Sequence, residues 1–156
     1  MLMSQSRKCA AAPLAELRRD PPDRGQLLVH AELARDPETV SAARQAVVRA
    51  LERAQQHDLA DDARLLTSEL VTNAVMHGSG DIITVILRYG AGELTISVTD
   101  NATDDLPDPR VASPDAENGR GMLLVRALGV RWGVTVDHLA DVKHTWVCLP
   151  MQEQPA

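Results

Sequence analysis

Glu69, Asn73 and His77 stand four residues apart in Leu65-Leu-Thr-Ser-Glu-Leu-Val-Thr-Asn-Ala-Val-Met-His-Gly78. The carboxylate is of the kind that takes a proton from a hydroxyl or a water. One turn on, the amide carbonyl can serve Mg²⁺, which keeps waters and bridges phosphates. On a helix the three fall in or beside the arc of Ala63, Leu66, Leu70 and Ala74, where packing alone would want Leu or Ile. Burying such groups without partners costs roughly a few kcal/mol apiece. Val71 and Val75 take the opposite side, so the polar row does not read as a solvated face. One residue of this kind reads as a cap or a bridge to nearby backbone; three in register point to a site. His77, just ahead of Gly78, reads also as a helix-end histidine meeting the last carbonyls.

Two further places carry chemistry. Gly119-Arg-Gly121 opens the run Met122-Leu-Leu-Val-Arg-Ala-Leu128. Exposed N–H groups at a glycine-rich helix start favour anions, and Arg120 adds charge. The same turn also begins helices that bind nothing. Asp100 comes at a strand end ahead of a long loop. Its carboxylate can accept from an exocyclic amine such as that of adenine, or it can cap the loop.

The elements that must hold these residues follow from pattern. Gln26–Leu33 reads as a first strand. Asp36-Pro37-Glu38 is a helix start, with Asp as cap, Pro in the first turn and Glu toward the positive end of the dipole. Val40, Ala43, Val47, Ala50, Leu51 and Ala54 carry that helix to about Gln56, with Arg44, Arg49, Glu52 and Arg53 on its solvated side. Asp58 opens the helix of the polar row, which Gly78 and Gly80 stop. Ile82–Tyr89 and Glu93–Asp100 form a hairpin around Gly90-Ala-Gly92, with one face on the core. A loop from Asn101 to about Arg120 is long enough to suggest function. After the short helix at Met122–Leu128 come Arg131–His138 and Lys143–Leu149, a second hairpin. The order predicts an α+β fold: a two-layer helix-on-sheet sandwich with a mixed, mostly antiparallel sheet. Residues 1–25 read as a flexible tail broken by Pro13, Pro21 and Pro22, residues 26–150 as one domain, and 151–156 as a second tail.

Composition narrows the partners. The 156 residues include no Phe, one Tyr and two Trp, so the core rests on Leu, Val, Ile and Ala, and there is no aromatic ladder for single-stranded nucleic acid. A net charge of −6 argues against a phosphate-backbone partner. Cys9 and Cys148 make neither a disulfide framework nor a zinc site. No apolar run suits a signal peptide or a membrane span, and the cytoplasm is the expected home.

Together these residues resemble the GHKL ATPases, the superfamily of sensor histidine kinases, type II topoisomerases and certain chaperones. Glu69-Leu-Val-Thr-Asn-Ala-Val-Met-His-Gly78 looks like its N box, Val98-Thr-Asp100 like the start of its G1 box, and Gly119-Arg-Gly-Met122-Leu-Leu-Val like its G2 box. The resemblance covers about Leu27 to Leu149 and is nearest to the short anti-sigma serine/threonine kinases of bacterial partner switching. It implies ATP and Mg²⁺ as cofactors, Glu69 as general base, Asn73 as Mg²⁺ ligand and Asp100 as adenine contact. His77, Gly119, Arg120, Gly121 and Met122 would complete the nucleotide site, with the loop before them as a lid over ATP. It implies as partners a sigma factor and an antagonist protein phosphorylated on Ser or Thr, with a possible homodimer. A sensor histidine kinase fits poorly, because no helix pair with an acceptor histidine is present. One departure stands out. The G1 box usually runs Asp-x-Gly-x-Gly, and here it is Asp100-Asn-Ala-Thr-Asp104. Losing both glycines removes backbone freedom beside the base. It opens the alternative of a non-catalytic partner-binding module with weakened or lost nucleotide binding.

Overall fold

The computed structural model describes residues 25–103 and 131–151. In chain order they form β1 (Gln26–Ala34), α1 (Thr39–Arg53), a 3-10 turn (His57–Leu59), α2 (Ala60–His77), β2 (Ile82–Gly90), β3 (Glu93–Asp100), β4 (Arg131–Asp137) and β5 (Val142–Pro150). The helix expected at Met122–Leu128, most of the loop before it and nearly all of both tails lie outside the described residues.

Local chemistry explains the boundaries. Asp36 Oδ1 accepts the Glu38 N–H at 2.9 Å, and the Asp36 carbonyl accepts the Thr39 N–H at 2.9 Å. The expected Asp-Pro start thus works as a cap, although regular helix begins only at Thr39. Ala43, Val47, Ala50 and Leu51 form the buried stripe of α1. The helix stops at Arg53, short of the expected Gln56, and Gln55 turns the chain with φ +56°. Ala91 and Gly92, at φ +54° and +78°, make the β2–β3 turn. Two positive-φ residues give a hairpin loop whose twist matches that of the strands it joins. In the β4–β5 turn, Asp137 Oδ1 accepts the N–H groups of Leu139 and Ala140 at 3.0 and 3.1 Å.

The five strands form one sheet in the order β1-β2-β3-β5-β4, and all four pairings are antiparallel. This is the helix-on-sheet sandwich expected from the sequence. Both helices pack side by side on the same face, α1 chiefly over β1 and α2 chiefly over β3. Val47, Leu51, Leu66 and Val71 from the helices meet Ile83, Val85, Leu87, Leu94, Ile96, Val98, Val134 and Val147 from the strands. Each fully buried side chain of this kind contributes roughly 1.5–3 kcal/mol, which is enough to make an aliphatic core sufficient. No helix among the described residues is long and apolar enough to cross a membrane.

One difference from the sequence pattern concerns β3. Its alternation of apolar and polar residues predicts one buried face, yet Leu94 to Val98 are all buried. Thr95 and Ser97 point away from the helices and sit opposite Cys148 and Trp146 of β5, which are also buried. Thr95 Oγ1 and Cys148 Sγ are 3.5 Å apart. Small polar residues beside a large indole are covered even though their types suggest water.

Candidate functional site

Helix α2 runs across the sheet with Ala63, Leu66, Thr67, Leu70, Val71, Ala74 and Val75 buried. Val71 and Val75, expected on the opposite side, belong to this broad buried arc. Glu69 and Asn73 lie on its flank and are half-buried. His77, the last residue of the helix, is exposed. The polar row therefore borders the core instead of replacing part of it. Leu65 and Met76 are exposed at 43% and 54%, so the helix shows more surface than its sequence suggests.

The end of α2 is fixed by a residue that the sequence pattern did not single out. Arg35, just past β1, donates Nη1 to the Val75 carbonyl at 2.7 Å and Nε to the Gly80 carbonyl at 2.6 Å. Its own N–H reaches the Asp81 carbonyl at 2.8 Å. A guanidinium is well placed there, since the last carbonyls of a helix carry partial negative charge and lack partners in the helix. An arginine next to a helix-start signal gives no local hint that it serves a different helix 40 residues on.

Gly78 ends the helix as expected, but in extended backbone with φ −77° and ψ −178°. Its small size is what matters. A Cβ there would collide with the Ala74 carbonyl oxygen and would lie 3.0 Å from Asp100 Cγ. Gly80 does need its freedom, at φ +88°, and it turns against the Asn101 side chain. Asn101 ties three segments together. Its N–H donates to the Ser79 carbonyl at 3.1 Å, and its Nδ2 to the Asp141 carbonyl at 2.7 Å.

Asp100 closes β3 on the face covered by the helices and is 4% exposed. Oδ1 accepts the Ala102 N–H at 2.6 Å. Oδ2 stands 3.8 Å from Lys143 Nζ, and Lys143 is only 6% exposed. One oxygen therefore caps the loop, as one of the two sequence readings expects, and the other faces Lys143. The backbone after it turns without any positive φ at residues 101–103. The Asp100 side-chain cap shapes the turn there in place of a positive-φ glycine.

Asp100 and the end of α2 are therefore together, joined through Gly78. Gly119, Arg120, Gly121 and Met122 lie outside the described residues. Among the described residues no group of three or more His, Cys, Asp or Glu could hold a metal. Away from this region, burial pushes the Cys148 thiol up to about 11, against the lowering effect of the Thr95 hydroxyl. Partial burial works to lower the Arg131 guanidinium, but Glu93 and Cys148 together hold it above its ordinary value. Arg131 Nη2 meets both Glu93 oxygens, at 2.7 and 3.0 Å.

A comparison with curated proteins finds no match. A family model does match, described as a histidine kinase-like ATPase domain, over residues 33–146. That span holds both helices, β2, β3 and β4 in whole, the first half of β5, and every candidate residue named above. Fold and motif order agree with it, and the chain belongs to the histidine kinase-like ATPase domain family.

Proposed function

We propose that this protein binds Mg·ATP at the junction of α2 and β3 and transfers the γ-phosphate to a Ser or Thr hydroxyl of an antagonist partner protein. In this reading the same protein also sequesters a sigma factor when the antagonist is phosphorylated. Family membership implies the nucleotide, and the described half of the site fits it. The observation that carries the reading is the seat at Asp100: a buried carboxylate with one oxygen turned inward, flanked by a glycine whose Cβ would press on it. An exocyclic amine is a suitable donor for that oxygen.

Glu69 and Asn73, one turn apart on the flank of α2, divide the remaining tasks. Asn73 offers a neutral carbonyl oxygen to Mg²⁺, and the metal neutralises charge on the phosphates when bound. Glu69 takes the proton of the attacking hydroxyl as its oxygen bonds to phosphorus and ADP leaves. Gly119, Gly121 and Arg120 are assigned to the phosphates, and Met122 and His77 to the border of the nucleotide.

The test is calorimetric titration with ATP and ADP in the presence of Mg²⁺, with Asn73→Ala as control. Micromolar binding abolished by that change is the expected result. Glu69→Gln should then stop phosphorylation of the partner while partner binding persists. No binding at millimolar nucleotide would overturn the kinase reading. A second reading, a partner-binding module without catalysis, would then hold. It is favoured by one observation, the Ala102 N–H bond that occupies Asp100 Oδ1 where the family has a glycine-rich turn.

A further inference from the structure

The outer face of the sheet is closed to water, although no element among the described residues lies on it. Both helices cover the other face, and Trp146 and Cys148 stand apart from the core that they build with it. Trp146 is nevertheless only 3% exposed and Cys148 only 2%. The strands themselves do not account for this. The cross-strand neighbours of Trp146 are Ser97 and Gly133, too small to cover a side chain that buries roughly 150–250 Å². Ser97 Oγ and Thr135 Oγ1, on the same face, are buried with no hydrogen-bond partner. A layer that excludes water and offers these hydroxyls nothing is an apolar one.

We propose that this layer is the chain's own amino-terminal segment, residues 1–24, seated on Trp146 through Leu14 and Leu17. The two leucines are spaced to share one side of a helical turn, next to Ala10-Ala-Ala12. The reach fits. Gly25 enters at β1, three strand spacings from β5, or about 14 Å. Asp20-Pro-Pro-Asp-Arg24, extended, spans about 16 Å and brings Leu17 and Leu14 over β5. Gly25 makes the entry turn at φ +94°, where a Cβ would collide with the Tyr89 carbonyl. From there the row Leu27, Arg88, Thr95 and Cys148 leads straight across the outer face. Other stretches of the chain suit this face less. Residues 152–156, Gln-Glu-Gln-Pro-Ala, are few and mostly polar. Residues 104–130 join β3 to β4, which run parallel because both oppose β5, and a right-handed crossover between them passes over the helix side. That side needs cover of its own at Trp132 and Val134, since α1 and α2 lie chiefly over β1 and β3. The outer face is then closed by the chain itself, and a partner protein is left the helix side and the sheet edges. None of this depends on the nucleotide-binding reading.

The chain has two indoles, Trp132 in the core and Trp146 on the outer face. ¹⁵N-tryptophan labelling of the full-length protein therefore gives two indole N–H signals, assigned by a Trp146→Phe variant. The probe is a soluble gadolinium chelate, which broadens the signals it can approach. The wild type should keep both signals. The full-length double variant Leu14→Asp, Leu17→Asp should lose the Trp146 signal alone, with Trp132 unchanged as the sign of an intact core. The wild type decides the matter if that variant does not fold. A nitroxide placed on Cys9, with Cys148 buried and out of reach, should broaden the Trp146 signal of its own chain. The same nitroxide on an admixed molecule without ¹⁵N should leave that signal unchanged. A Trp146 signal still protected in the folded double variant, or untouched by the nitroxide on its own chain, would overturn the inference. Protection lost on dilution, or broadening from the admixed molecule, would overturn it too and assign the face to a second copy.

Discussion

Arg35 Nη1 donates to the Val75 carbonyl at 2.7 Å, so the loop after β1 holds the last turn of α2 in place. With the Nε bond to the Gly80 carbonyl, one side chain spans both ends of the helix-to-strand connection. Arg35→Ala removes two charge-assisted bonds at once and leaves helix-end carbonyls to water. The expected loss is about 2 kcal/mol in urea denaturation, with faster amide exchange from Gly78 to Asp81. Arg35→Lys should recover only part of it, because an ammonium lacks the planar fork that reaches both carbonyls.

Gly78→Ala tests room, since φ at this position is open to any residue. The added methyl meets the Ala74 carbonyl and then Asp100 Cγ, so α2 and β3 must separate. A cost of roughly 1–3 kcal/mol is expected, as for other overpacked positions. In the proposed site Gly78→Ala should also weaken Mg·ATP binding in calorimetry, because the carboxylate it displaces is the assigned adenine contact. Gly92→Ala shows the opposite kind of cost: nothing lies within 4 Å of its Cβ, so any loss there comes from its φ of +78° and not from crowding.

Asp100→Asn keeps an oxygen for the Ala102 N–H and removes the charge that faces Lys143. The loop should survive, while the buried ammonium loses the carboxylate beside it. A destabilisation of about 3 kcal/mol is expected, read by thermal or chemical denaturation. Replacing Lys143 by Met in the same protein should restore much of that loss, since the pair is then neutral on both sides.

Cys148 sets a pH dependence of its own. Burial raises its thiol from an ordinary value near 9.0 to about 11, so the folded chain keeps a proton that the unfolded chain releases. The contribution is fully present below about 9 and is lost as pH rises through about 11. Denaturation midpoints should fall across that window, and Cys148→Ala should flatten the fall. Mass spectrometry after iodoacetamide treatment at pH 8 should find the Cys148 peptide unmodified until the protein is denatured.

Much of the fold was legible because its signals are local. Asp36-Pro37 opens α1, and the aliphatic stripes of both helices and the Ala91-Gly92 turn follow rules that act within one element. Glu69, Asn73 and Asp100 could be singled out because polar groups at apolar or strand-end positions need a reason. What was not legible depends on pairing at a distance. Arg35 serves a helix other than its neighbour, and Asn101 joins Ser79 to Asp141. Lys143 becomes informative only when β5 sets it opposite Asp100. The burial of Thr95 and Ser97 likewise depends on Trp146 and Cys148 arriving from β5.

The β3–β5 pairing also fixes when a binding-competent molecule can exist. β1, α1, α2, β2 and β3 are consecutive in the chain and all end by Asp100. β5 must return across residues 101–141 before Lys143 reaches Asp100. A chain still emerging from the ribosome, with β3 made and β5 not yet, has its carboxylate and no cation to face it. The Asp100–Lys143 pair is completed only by the last strand to be made, and truncation ahead of Val142 should leave β3 without its β5 neighbour.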